Sequence, residues 1–346
     1  MTVPPADAPA LDRALAEPRH LLVLPPDVDV AEVDALAASH FDDAGWLGPT
    51  TLRVTGDAHL TGPWGLDDAL RRAFDLPPWA VLAFLLRCPV QRSGPVPPEL
   101  LGLGGLLDAF PEGPPTGLEG VVLDHLLAQA RRLGGALRVA GSGAVLVPDP
   151  ATAVDLTLYS PVWLEPEACV RVLEPVLPGI RSAIDDLPDA GGVPGADRLA
   201  VDPAGPRAAA VAEMNPDERA WLHAEADAFD TAALERQDVL EGYAAVADLG
   251  PDGLLEVAAA GQDQAPAILR GAAWARRGVV AYEVRWRPVD PEVAFGPRPP
   301  LGLRRARDRV RALVERVAVA LHDVAGGEIC DDDGFLVAPT ELGGTG

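Results

Sequence analysis

The chain contains no lysine; all 28 of its basic residues are arginine. That absence excludes Schiff-base chemistry, a lysine-dependent phosphate loop and a catalytic lysine. Cysteine is scarce. Cys88, Cys169 and Cys330 form an odd, scattered set, which is no disulfide framework and holds no Cys-x-x-Cys pair for zinc. They read as buried thiols. No apolar run approaches the length needed to cross a membrane. Positive charge is in deficit: 28 arginines face 52 acidic residues, for a formal net charge of −24. Such a charge opposes binding to nucleic acid or anionic lipid and suits a basic partner. The start, Met1 to Asp7, lacks the basic and apolar pattern of a secretory signal, so a cytoplasmic location is expected.

Catalytic motifs are missing as well. There is no His-Glu-x-x-His and no Gly-x-Ser-x-Gly elbow. Gly102-Leu103-Gly104-Gly105 lacks the third glycine of a dinucleotide loop and follows no clear strand. His223 and Asp227 share a helix face without an obvious third ligand. Asp124-His125 and His322-Asp323 are sequence neighbours, which point in different directions on a helix. Asp331-Asp332-Asp333-Gly334 lacks the alternating acids of a calcium loop and reads as a tight turn. No cofactor and no metal are expected.

What is present is a repeat. A segment near 50–150 and one near 243–342 run through the same elements in the same order. The first reads as a strand at Thr51–Leu60, a short helix at Leu66–Phe74, a strong strand at Val81–Arg87, a long helix at Leu118–Leu133, Gly134-Gly135, and two short strands at Ala136–Ala140 and Ala144–Val147. The second reads as Leu254–Ala258, Ala267–Trp274, Val279–Trp286, a long helix at Leu303–Leu321, Gly326-Gly327, and short strands at Glu328–Cys330 and Phe335–Val337. Ala83-Phe84 and Arg87 answer Ala281-Tyr282 and Arg285. Leu146-Val147-Pro148 answers Leu336-Val337-Ala338-Pro339. Leu21–Leu24 and Tyr243–Ala247 are the expected opening strands.

A chain of 346 residues with a 48% hydrophobic share can bury one to three cores. The expected layout is a loose arm at 1–18, an N-terminal lobe at 19–181, a linker with a helical connector at 182–240, and a C-terminal lobe at 241–342. The connector helix starts at Asn215-Pro216 with Glu218 in a capping-box position, and Thr116 with Glu119 repeats that box before the first long helix. The fold class is α+β: two related lobes from an internal duplication, each a small, mostly antiparallel sheet with helices packed on one face.

The candidate binding residues are arginines of the second copy. Arg285, Arg287, Arg304, Arg305 and Arg307 lie close together in an acidic chain, several at the start of a helix where the macrodipole disfavours cations. They suit an anionic ligand or an acidic surface. Trp286 should face away from Arg285 and Arg287 by strand alternation. Tyr159 and Trp163 are candidate aromatic contacts for a partner. The leading expectation is a non-catalytic, protein-binding adaptor or chaperone-like module with a pseudo-symmetric surface. The alternatives are an enzyme or binding protein for a small anion, and an acidic inhibitor of a basic protein.

Overall fold

The computed structural model describes residues 8–102, 104–183, 215, 241–296 and 299–342. The helix expected after Asn215, the His223–Asp227 pair and most of the 182–240 linker lie outside these residues.

The first sheet uses β1 (His20–Leu24), β2 (Gly45–Gly48), β3 (Thr51–Thr55), β4 (Ala58–Gly65), β5 (Leu82–Arg87), β6 (Ala136–Arg138) and β7 (Val145–Leu146). Its helices are α1 (Arg13–Ala16), α2 (Val30–His40), α3 (Asp68–Ala73), α4 (Gly105–Ala109) and α5 (Gly117–Arg132). The second sheet uses β8 (Leu156–Ser160), β9 (Arg181–Ser182), β10 (Gly242–Asp248), β11 (Leu254–Gln262), β12 (Val279–Arg287), β13 (Glu328–Asp331) and β14 (Leu336–Val337). Its helices are α6 (Pro166–Leu173), α7 (Pro291–Ala294) and α8 (Leu301–Ala325).

Both sheets are antiparallel and seven-stranded. The first runs β2-β3-β4-β5-β1-β6-β7; the second, read from its β9 edge, runs β9-β10-β11-β12-β8-β13-β14. In each, the first strand of the copy sits between its fifth and its sixth. The registers agree residue by residue. Leu22 lies between Phe84 and Leu137, and Leu158 lies between Tyr282 and Ile329. Each long helix ends at a glycine with positive φ, Gly134 or Gly326. The glycine that follows passes against the backbone of the first strand of its copy, Gly135 at Val23 in β1 and Gly327 at Tyr159 in β8. The internal duplication and the two-lobed α+β fold are therefore features of the structure.

Four readings differ from the expected ones. The first copy opens at β1, the strand expected at Leu21–Leu24, but the second opens at β8 rather than at Tyr243–Ala247. Tyr243–Ala247 belongs to β10, the counterpart of β3, while Leu156–Ser160 is the true counterpart of β1. Because β8 bonds to β12 and β13, the sheets divide the chain between β7 and β8, not at 181. The stretch read as one strand, Thr51–Leu60, is two strands folded back at Gly56, whose φ of 50° suits a tight turn. The counterpart of Leu146 is Val337, one position from the expected Leu336.

The long helices cover one face of each sheet, as their apolar stripes predict. Val122, Leu123, Leu126 and Ala130 of α5 join Leu22, Leu52, Leu60 and Phe84, together with Val33 and Ala37 of α2. Val310, Val314, Val317 and Leu321 of α8 join Leu158, Val257 and Tyr282, with Cys169 and Leu173 of α6. In the first lobe, Leu11, Leu70 and Phe74 from the region of α1 and α3 cover part of the opposite, outer face at Leu21, Val23 and Leu85. In the second, Leu269, Ala275 and Val279 pack with Tyr159 there. No helix among the described residues is long and apolar enough to cross a membrane.

Candidate functional site

The arginines singled out by sequence do not converge. Val284 and Trp286 of β12 enter the core beneath α8, so alternation sends Arg285 and Arg287 to the outer face, as expected. Arg285 bonds Glu283 at 2.7 Å, and Arg287 bonds Glu256 at 2.8 Å. Arg307 is buried, at 2% exposure. It donates to the Asp149 carboxylate at 3.3 Å and to the Ala294 carbonyl at 2.5 Å. Arg304 and Arg305 lie exposed in the first turns of α8. Tyr159 is half-buried on the outer face against Leu269, Ala275 and Val279. Trp163 stands edge-on to Tyr243 at 5.4 Å and lines a 600 Å³ cavity with Arg277 and Asp263. The hydroxyl of Tyr243 donates to the Leu164 carbonyl at 2.6 Å, which fixes the chain next to Trp163.

The lobes meet through unlike elements. Arg131 of α5 binds both oxygens of Asp333, at 2.9 and 3.0 Å, and Arg132 reaches Glu341 at 3.5 Å. His40 of α2 shares its Nε2 proton with the Asp333 carbonyl at 2.8 Å. Its ring packs on Phe335 at 4.7 Å and on His125 at 4.9 Å. Asp42 pairs with Arg270. The helix layer of the first lobe thus receives the β13–β14 hairpin of the second. A twofold would repeat this contact reciprocally, with the β6–β7 hairpin of the first lobe against the helices of the second; among the described residues the bonded contacts between the lobes run one way, from α2 and α5 and the loop after α2 to the β13–β14 region and Arg270.

The acidic turn at Asp331–Gly334 is the tight turn that was expected. The Asp331 carboxylate accepts from the amides of Asp333 and Phe335, at 3.1 and 2.9 Å. Burial raises the carboxyls of both Asp331 and Asp333. A 320 Å³ cavity at this junction is lined by Arg131, Arg132, Arg311, Asp331 and Asp333. Burial, with His40 beside it, lowers His125 to about 3, so its ring stays neutral.

A buried polar cluster sits beneath the start of α5. Thr116 makes no side-chain cap, and Glu119, expected to complete its capping box, turns into the protein instead. Glu119 is 1% exposed. It accepts from Arg92 at 2.6 Å and from the Gln91 amide at 2.8 Å. His20 accepts from the Ala140 amide through Nδ1 at 3.0 Å. That fixes the proton on Nε2, which donates to Glu119 at 3.2 Å. Both oxygens of Glu119 and both ring nitrogens of His20 are engaged in holding β1, α5 and the 88–116 loop together. The cluster is a structural clamp.

An exposed apolar pair lies on the β2 edge. Among the described residues β2 pairs only with β3. Its sequence is Gly-Trp-Leu-Gly, with Trp46 37% and Leu47 55% exposed. Leu47 lies at a register shift and lines a 520 Å³ cavity on the outer face, beside Thr51, His59 and Arg87. At the corresponding edge of the second sheet, β9 consists of an exposed Arg181 and a buried Ser182. Sequence reasoning missed β2 because its four residues show no alternation. Its flanking glycines and paired apolar residues were the available signal. Comparison of the chain with family models, with curated proteins and with solved structures gives no match.

Proposed function

We propose that the chain is a non-catalytic binding module that captures an extended segment of a protein partner by strand addition at β2. The observation that carries this reading is a strand that, among the described residues, pairs on one side only and carries two exposed large apolar residues. Edge strands are normally blunted by charge, proline or cover, because their free backbone groups template pairing. Here Gly45 and Gly48 leave the backbone bare and Trp46 and Leu47 supply anchors, the combination used in strand-addition recognition. The counterpart edge, β9, carries a charged residue in its place. The small-anion reading built on the C-terminal arginines has less support, since Arg285, Arg287 and Arg307 are bonded to groups of this chain.

The test is selection of extended peptides from a display library on the full chain, followed by hydrogen exchange. Bound peptide should protect the amides of Gly45–Gly48, and Trp46→Ala with Leu47→Ala should weaken binding about tenfold or more. Protection confined to other strands, or affinity unchanged in the double variant, would count against strand addition at this edge.

A further inference from the structure

We infer that the outer face of the N-terminal sheet holds a binding site for a phosphate-class dianion, formed by Arg19, His59 and Arg87. Register brings these residues together. Arg53 of β3 stands opposite His59 of β4, and His59 stands opposite Arg87 of β5. The β1–β5 register, with His20 opposite Leu86, places Arg19 opposite Arg87 one residue beyond the strand end. Leu52, Leu60 and Leu86 of the same strands point into the helix-covered core, so alternation sends this whole row to the outer face. Like charges directly opposite one another on a sheet destabilise it. A row of three guanidiniums and an imidazole is unexpected in a chain with 52 acidic residues.

The duplication supplies the control. In the second lobe the same row reads Val246, Glu256 and Arg285, with Asp155 beyond the end of β8. There Arg285 also bonds Glu283 at 2.7 Å. In the first lobe, the position of Glu256 is taken by His59, that of Asp155 by Arg19 and that of Glu283 by Leu85. The arginine is kept while three carboxylates around it are lost. Arg53 is held by Asp43, its Nε donating to the Asp43 carbonyl at 2.6 Å. Among the described residues neither Arg19 nor Arg87 has a side-chain hydrogen bond or ion pair.

Arg19, His59 and Arg87 line the 520 Å³ cavity beside β2, together with Thr51 and Leu47; Asp57 is the one carboxylate among the described residues of its lining. Two forked guanidiniums, an imidazole and a hydroxyl match the oxygens of a tetrahedral dianion. The volume exceeds that of bare phosphate and falls in the range of small-ligand sites, about 300–1,000 Å³. Leu47 gives the organic half of a phosphate monoester an apolar wall. The two sites share Leu47, but the dianion is held by Arg19, His59 and Arg87 and the added strand by the backbone of β2 and Trp46, so Arg87→Gln tests the first without touching the second.

Inorganic phosphate is the probe, titrated into the full chain at constant sodium chloride and followed by calorimetry. Saturable one-site binding is expected, displaced by sulfate and weakened about tenfold or more by Arg87→Gln or Arg19→Gln. Arg285→Gln, at the equivalent position of the second lobe, should leave it unchanged. His59→Glu writes the second lobe's charge order into the first. It should abolish phosphate binding while raising the melting temperature, which separates loss of the site from loss of the fold. Phenyl phosphate and a phosphotyrosyl peptide then distinguish the sources. Tighter binding of the peptide assigns the site to a modified partner, and equal binding assigns it to a small ester. No saturable phosphate binding, or binding that survives both His59→Glu and Arg87→Gln, overturns the inference.

Discussion

Replacing Gly327 by alanine tests the duplicated architecture at its tightest point. Gly327 has a φ of 105°, and a Cβ there would overlap the Tyr159 carbonyl oxygen and lie 2.9 Å from the Ser160 Cα. Carbon atoms prefer a separation of about 3.5–4.0 Å. The obstacle is the backbone of β8, the strand between β12 and β13, so it cannot swing aside as a side chain would. Forcing an extra methyl into a packed site costs about 1–3 kcal/mol. Holding a non-glycine residue in an unfavourable backbone region adds about 1–3 kcal/mol. The reduced freedom of the unfolded chain returns about 0.4–1 kcal/mol. The expected net loss is about 3 kcal/mol, a melting shift of roughly 6–12 °C for a lobe of this size.

Two comparisons sharpen the expectation. Gly135, the counterpart, would bring its Cβ 2.6 Å from the Val23 carbonyl without a positive φ, so Gly135→Ala should cost about 1–3 kcal/mol. Gly326 has a φ of 63° and nothing within 4 Å of its Cβ, so Gly326→Ala should cost about 1 kcal/mol from backbone strain alone. Calorimetry gives the shifts, and hydrogen exchange over β8, β12 and β13 locates them. Equal losses for Gly327→Ala and Gly326→Ala would refute the claim that contact with β8 sets the cost.

Glu119→Ala strands Arg92 and His20 beside a buried void, and should cost about 3–5 kcal/mol by denaturant titration; a loss below about 1 kcal/mol would mean the clamp carries no stability. His125 governs acid sensitivity. Its folded pKa, about 3, lies below the ordinary histidine value. The unfolded chain therefore takes up a proton that the folded chain refuses. Stability is complete above about pH 6.5 and falls by up to about 1.4 kcal/mol per pH unit toward pH 3. Asp331 and Asp333, whose carboxyls are raised, oppose this loss as they protonate. His125→Gln should flatten the decline measured by thermal melts between pH 6.5 and 4, and an unchanged slope would remove His125 from the account.

The parts of the fold legible in sequence were those with local signals. Apolar stripes gave both long helices, glycine pairs gave their ends, and Ala83-Phe84 against Ala281-Tyr282 matched the strands at the heart of each sheet. The opening strand of the second copy was misassigned because Leu156–Ser160 follows β7 closely in sequence, and its membership of the second sheet depends on partners far downstream. The same limit hid the cationic row. Arg285 to Arg316 form a dense run of arginines that catches the eye, yet Arg285, Arg287 and Arg307 are bonded to acidic groups of the chain. Arg19, Arg53 and Arg87 are scattered singly and meet only through strand register. Glu119 looked like a capping residue because its spacing from Thr116 is right; burial among His20 and Arg92 decided otherwise.

The position of β8 has a consequence for synthesis. The first lobe can close once β7 has left the ribosome, because all its partners have then been made. β8 emerges next, with Leu156 and Leu158 ready for a core, but Leu158 must wait for Tyr282. At roughly 5–20 residues per second that wait lasts roughly 6–25 s. During it an apolar strand hangs beside a finished sheet in which, among the described residues, β7 pairs only with β6. The nascent chain therefore passes through a stage in which the completed half is the nearest template for an unpaired strand that belongs elsewhere.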